Sequence, residues 1–389
     1  MFIELTEAQR ALRDRIRSYF RDLVTREERA AMRTDRHGEA YRAVVRRMGR
    51  DGWLGLGWPV EFGGSGLGPV EQQLFASEAA RFDVPLPSVT LETVGPTLQA
   101  HGTPEQQEFF LPKILAGQLH FAIGYTEPEA GTDLASLRTT AVRDGDDYVV
   151  NGSKVFTTGG HDADYIWLAC RTDPRAPKHR GISILIVDTS DPGFSWTPII
   201  TSDGAHHVNA TFYNDVRVPA SRLVSEENRG WKLITTQLNH ERVMLGPAGR
   251  LGALLDRVSA WIDDRADPRG TPLRQLPDVR RALARTRTFL RVNELLNWQV
   301  AASADRPVAV ADASATKVFS SERVLELGRE LTDLVARHGD AADADTAELL
   351  DWLDVHAKRD LVLTFGGGVN EIQRELIATA GLGLPRVPR

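Results

Sequence analysis

At 389 residues the chain is longer than one simple core accommodates, and two or three domains are expected. Hydrophobic residues at 42% and charged residues at 26% are those of an ordinary globular protein, and a net charge of −6 excludes the basic footprint of a nucleic-acid binder. The single cysteine, Cys170, excludes an internal disulfide framework or a cysteine-based metal site and fits a reducing compartment.

The chain opens with Leu5, Leu12, Ile16, Tyr19, Leu23 and Val24 at helical spacing, arginines between them, and Thr6 as a helix start. Glu4, Glu7 and Asp14 interrupt the basic character that a transit peptide would need, so a mature cytoplasmic N-terminus is expected. Further helices are predicted near 39–50, 69–81, 91–100 and 104–116, with a long glycine-rich loop over 52–66. These make an all-α region over 1–119.

Around residue 120 the period changes to that of strands. Asp147–Val150 and Lys154–Thr157 flank Asn151-Gly152, a pair that favours a two-residue hairpin turn, and short strands follow near 165–170, 181–187, 194–199 and 208–212. An antiparallel β-barrel domain over 120–229 is the reading. From 230 to 389 the helical period returns, with helices expected near 231–263, 277–302, 309–338 and 346–364 and a last one from about 370, the pattern of a helical bundle. The fold class is therefore α+β multidomain, and no stretch reaches the roughly 18 apolar residues of a membrane span.

On the first helix of the bundle, Ile234, Leu238 and Leu245 form an apolar stripe on which Glu241 also falls. A carboxylate there is either salt-bridged or a base whose pKa burial has raised; periodicity leaves both open. His206, His207, His240 and His338 lack a second ligand at metal-binding spacing, and Gly366-Gly367-Gly368 belongs to neither a phosphate loop nor a dinucleotide-binding turn.

Two segments carry a family resemblance. Phe121-Ala122-Ile123-Gly124-Tyr125-Thr126-Glu127-Pro128-Glu129-Ala130-Gly131-Thr132-Asp133 resembles the first signature of the acyl-CoA dehydrogenases. The stretch from Phe365-Gly366-Gly367-Gly368-Val369-Asn370-Glu371 to Ala378, followed by Leu382-Gly383-Leu384-Pro385-Arg386, resembles the second. The resemblance spans essentially the whole chain, and that family's helix–sheet–helix order agrees with the one read from periodicity.

It implies an FAD-dependent dehydrogenase of acyl-CoA thioesters. Tyr125 and Thr126 would lie along the flavin, with Phe156 in place of a commoner tryptophan, Thr157 and Thr158 at the flavin edge, and Val369 and Glu371 as further flavin contacts. Thr132, Arg242 and Gly367 would meet the substrate. Many members carry the catalytic base at the position of Gly367, which has no side chain; isovaleryl- and long-chain-type members place it on the first bundle helix, where Glu241-Arg242-Val243-Met244-Leu245 matches. The resemblance thus makes Glu241 the base and leaves Gly367 a backbone N–H for the thioester carbonyl.

Where homotetrameric members hold a neighbour's ADP moiety, this chain reads Arg265-Ala266-Asp267-Pro268-Arg269-Gly270 and Val335-Ala336-Arg337-His338-Gly339-Asp340, and neither family motif is intact. The expectation is an α2β2 heterotetramer with a homologous subunit, passing electrons to an electron-transfer flavoprotein. Within the family the chain resembles the glutamate-bearing subunits of bacterial cholesterol side-chain degradation, which implies a steroid CoA ester with a three-carbon side chain, of the 3-oxo-pregnene-20-carboxyl-CoA type. The competing expectations are a smaller branched acyl-CoA, an oxidase or monooxygenase of the same superfamily, and a non-catalytic scaffold subunit.

Overall fold

The computed structural model describes residues 4–244, 246–302 and 310–386, with the backbone alone for 238–244. In chain order a helical region comes first: α1 (Glu7–Leu23), α2 (Arg26–Thr34), α3 (Glu39–Arg50), α4 (Pro69–Arg81), α5 (Gly95–His101) and α6 (Pro104–Leu115). The β region holds β1 (Phe121–Gly124), β2 (Thr140–Asp144), β3 (Asp147–Thr158), β4 (Tyr165–Arg171), β5 (Ile182–Asp188), β6 (Phe194–Ile200), β7 (His206–Pro219) and β8 (Leu223–Val224). A second helical region closes the chain with α7 (Gly230–Met244), α8 (Gly249–Asp263), α9 (Pro277–Ala301), α10 (Val310–His338), α11 (Ala344–Asp360) and α12 (Asn370–Leu376). Contacts divide these elements into two compact units: Met1–Leu23, Pro69–Val84 and Arg242–Arg389 form the first, Val24–Gly68 and Pro85–Glu241 the second.

The first unit is helical. Leu251, Leu254, Leu255, Val258 and Ile262 of α8 recur every three or four residues and pack with Leu327, Leu331, Leu334 and Val335 of α10 and Leu349 and Leu353 of α11. The single helix expected over 231–263 is two, because Pro247 has no N–H to continue the ladder. At the break the Arg250 N–H bonds the Pro247 carbonyl (3.2 Å), and the Gly246 carbonyl accepts from Asn293 Nδ2 (3.0 Å), Asn297 Nδ2 (3.0 Å) and Ser320 Oγ (3.2 Å), while Asn297 Oδ1 accepts from the Ala248 N–H (3.0 Å). The break is thus closed by buried side chains.

The second unit is built on the sheet. Its strands are ordered β6-β7-β3-β2-β4-β5-β8, and β1 pairs with β4 outside that order. Most neighbours are antiparallel, but β1 and β4 run parallel, as does the short β2–β4 bridge at Thr140 and Arg171. Tyr148, Val150, Ile166, Leu168, Cys170, Leu185, Val187, Tyr213, Val216 and Val218 fill its core.

The hairpin expected at Asn151-Gly152 lies elsewhere. β3 runs straight through both residues, and the β2–β3 turn is at Gly145-Asp146. Asn151 instead trades hydrogen bonds with Asp215 of β7: its Nδ2 donates to Oδ1 (2.9 Å) and its Oδ1 accepts the Asp215 N–H (3.0 Å). Gly152 sits at a bulge with φ +149, and a Cβ there would come within 2.6 Å of Thr139 Oγ1. The Asn-Gly pair serves a bulge in mid-strand, because the same tolerance of unusual φ suits either feature.

Two features of the helical elements in this unit had not been expected. Thr25 opens α2 with a reciprocal capping box: its Oγ1 accepts from the Glu28 N–H (3.2 Å) while its own N–H donates to Glu28 Oε2 (2.9 Å). Ahead of α5, residues Val89–Val94 are wound as a π-helix. There the partner of the Leu91 carbonyl would be residue 96, a proline without an N–H, and the Trp58 indole Nε1 donates to it instead (3.1 Å).

Candidate functional site

The residues of the first signature leave β1 as a loop, and that loop is tied to β3 from both sides. The Val155 N–H donates to the Thr126 carbonyl (2.9 Å), and Lys154 Nζ reaches the Tyr125 carbonyl (3.0 Å) and Glu127 Oε1 (2.8 Å). Lys154 is 1% exposed, so its ammonium has no water to fall back on. Glu127 completes its shell with the Arg138 N–H (2.7 Å), the Thr139 N–H (2.9 Å) and the Thr139 hydroxyl (2.7 Å). Burial would raise the Glu127 carboxyl, but Lys154 and these donors outweigh it and hold it below the usual carboxylate range. Burial lowers Lys154 against the pull of Glu127. Glu127 and Ala130 also exchange backbone hydrogen bonds (3.2 and 3.1 Å), which fixes the turn preceding Thr132.

Immediately after Lys154 the register of β3 against β7 slips, and Phe156 falls in the slip with φ +60. A bulky residue in the left-handed region costs about 1–3 kcal/mol and marks a place where the surroundings impose the path. Phe156 is also 63% exposed, so packing of its own side chain does not hold that path. Thr158 is exposed beside it, whereas Thr157 is fully buried with its hydroxyl on Thr211 Oγ1 (3.2 Å). Of the predicted edge residues Thr158 thus offers a hydroxyl outward and Thr157 only its backbone. Tyr125 is likewise turned inward, its hydroxyl donating to Gln237 Oε1 on α7, and Gln237 Nε2 donates on to Thr97 Oγ1 (2.9 Å). Thr126 is half-buried and Thr132 exposed.

The second-signature residues lie in the first unit. Gly367 has φ +64 in the loop before α12, so this backbone suits glycine and would strain a side-chain-bearing residue. Buried Lys317 of α10 holds the loop, donating to the Gly368 carbonyl (2.7 Å) and Asn370 Oδ1 (2.8 Å). Val369 is the N-cap residue of α12 and half-buried, and Glu371 in its first turn is exposed. Glu241 and Arg242 stand near the C-terminal end of α7, and their side chains lie outside the described residues.

Sequence reasoning missed Lys154, Glu127 and Lys317. Lys154 was findable by the rule that singled out Glu241: Tyr148, Val150 and Lys154 share the inward face of β3. Among the described residues no group of three or more His, Cys, Asp or Glu side chains could hold a metal ion.

An exposed aromatic beside an outward hydroxyl, on a strained bulge pinned by a buried ion pair, can receive a flat apolar ring with polar edge atoms. A glycine loop brings backbone N–H groups close enough to receive a carbonyl oxygen. Family models for the acyl-CoA dehydrogenase N-terminal, middle and C-terminal domains match residues 6–118, 122–216 and 228–382. The chain belongs to the acyl-CoA dehydrogenase family, whose members are FAD-dependent oxidoreductases.

Acyl-CoA dehydrogenase FadE29 of Mycobacterium tuberculosis is 67% identical over 389 residues, all of both chains. Among solved structures, the ChsE4-ChsE5 complex from Mycobacterium tuberculosis matches with a TM-score of 0.91 and 48% identity over the whole of both chains. The Tcur3481-Tcur3483 steroid ACAD matches with the same score, identity and coverage. Both of these are assemblies of two different chains by their names. The chain is an acyl-CoA dehydrogenase, and no helix among its described residues is long and apolar enough to cross a membrane.

Proposed function

We propose that this chain is the base-bearing subunit of a heteromeric steroid acyl-CoA dehydrogenase that takes a CoA thioester with a short side chain, of the 3-oxo-pregnene-20-carboxyl-CoA type. The observation that carries the reading is full-length similarity at 48% identity to a chain of an assembly named a steroid ACAD. The Phe156–Thr158 bulge and the 125–132 loop would hold the FAD, which when bound would accept the substrate's β-hydride and pass its electrons to an electron-transfer flavoprotein. Glu241 takes the α-proton, and the Gly367 N–H donates to the thioester carbonyl, where negative charge builds as the proton leaves. The left-handed backbone at Gly367 supports assigning the base to α7, since a carboxylate-bearing residue at 367 would be strained.

Glu241→Gln removes the base while keeping the side chain's size. Mixed with a steroid CoA thioester, the variant assembly should bleach its flavin at least about a thousandfold more slowly than the unaltered one, within the range spanned by general bases. Bleaching at a near-normal rate would sink the assignment. The heteromer is tested separately by the mass and flavin content of the purified assembly. Two chain types with one flavin for every two chains are expected, and a homotetramer carrying one flavin per chain would overturn the proposal.

A further inference from the structure

Asn209 lies opposite Thr157 on β7, is fully buried, and uses every polar atom of its amide. Its Nδ2 donates to the Thr157 carbonyl (3.2 Å) and to His161 Nδ1 (3.0 Å), and its Oδ1 accepts from His206 Nε2 (2.7 Å). Since both amide protons are directed at acceptors, His161 Nδ1 must present a lone pair, and its proton sits on Nε2, which donates to Asp35 Oδ1 (3.2 Å). The His161 and His206 rings stack at 4.0 Å between centroids, so the two histidines that orient the amide also brace each other. The Gly159 N–H closes the same corner on the His207 carbonyl (2.9 Å). The Thr157 carbonyl is the backbone group between exposed Phe156 and exposed Thr158, just past the slip in register.

We infer that Asn209, oriented by His161 and His206, is the positioning residue that fixes the bulge and with it the place of the Thr158 hydroxyl at the flavin edge. The inference rests on the flavin site proposed above. Asn209→Asp keeps the shape of the side chain but turns a donor into a second acceptor. The carboxylate then has no proton for the Thr157 carbonyl, and His161 can meet it only by moving its own proton from Nε2 to Nδ1 and giving up Asp35, so the hold on the bulge is lost. Asn209 is fully buried and bonds the Thr157 carbonyl, so its effect is expected to act through Thr158.

The test is a double-mutant cycle on the midpoint potential of the flavin in the purified assembly. Thr158→Val should lower that potential by removing a donor to the reduced ring, changing the reduced-to-oxidised ratio at fixed potential about tenfold, equivalent to about 30 mV for a two-electron couple. Asn209→Asp should lower it comparably, and the double variant should fall no more than about threefold below either single one. Additive shifts, or an unmoved potential in Asn209→Asp, would overturn the inference. Should that variant fail to fold, His161→Leu leaves Asn209 in place but releases one of its holds. It should move the potential in the same direction with the same dependence on Thr158, and an unmoved potential there again refutes the proposal. Absence of flavin from the unaltered assembly would instead refute the cofactor site itself, an outcome separate from failure of the cycle.

Discussion

Lys154 and Glu127 are individually unfavourable where they stand. Each has been taken out of water, and their mutual attraction together with four further hydrogen bonds offsets the loss. Removing one partner leaves the other charged in a site without solvent, which typically costs about 3–5 kcal/mol. Lys154→Met should therefore lower the free energy of chemical unfolding by about that amount. Adding Glu127→Gln to it should restore a large part, because the unpaired charge is gone while the amide still accepts from Thr139. A loss below about 1 kcal/mol in the single variant would mean that water reaches Glu127. The pair also ties the first-signature loop to β3, so one interaction secures both the fold and the side of the site that carries Phe156 and Thr158.

Elements differ in how openly the chain declares them. Helices α3, α4, α6, α9 and α10 were legible because apolar residues recur every three or four positions over long windows. The boundary at Thr25 was written too, as Thr-x-x-Glu just past the stripe that ends at Val24, but the short helix after it carries too few apolar residues to show a period of its own. Pro247 marks the α7–α8 break plainly, whereas the three side chains that satisfy Gly246 come from α9 and α10, remote in sequence. Local pattern therefore shows that a helix stops, and only the tertiary structure shows how the exposed carbonyl is satisfied. The Asn-Gly pair erred for the same reason: its partner, Asp215, is 64 residues away. In the candidate site, the motif residues were named only through the family resemblance that the two signature stretches carry. The left-handed Phe156 was not, since nothing in its residue type announces positive φ and the cause is pairing with a distant strand. Lys317 escaped because its ligands are a backbone carbonyl and an asparagine some fifty residues on.

At the scale of the whole molecule, buried histidines in the second unit set its response to mild acid. Burial pushes His37 down to about 3 and His120 to about 4 from the ordinary 6.5, and burial also lowers His161 despite its bond to Asp35. The unfolded chain takes up these protons as pH falls through 6.5, while the folded unit refuses them until its own lower values are reached. Stability must therefore drop as pH falls below about 6.5. Between pH 7.5 and 6 the loss is about 0.8 kcal/mol for each strongly depressed histidine, about 1.6 kcal/mol for His37 and His120 together. Burial raises Asp162 to about 6 against the pull of Arg42, and this works in the opposite sense: the folded unit gains that proton first, which offsets a fraction of the loss near pH 6. Carboxylates held below their ordinary values, such as Asp35 and Glu127, add their losses only under more acid conditions. Amide hydrogen exchange of β3 and β4, followed from pH 7.5 to 6 and corrected for intrinsic rates, should show protection falling by this amount. His120→Phe should remove about half of the slope, because an aromatic ring without a titrating nitrogen keeps the packing against Tyr41. Protection that holds steady or rises as pH falls would show that the folded unit admits these protons, and that the interior around His37 and His120 is wetter than its burial implies.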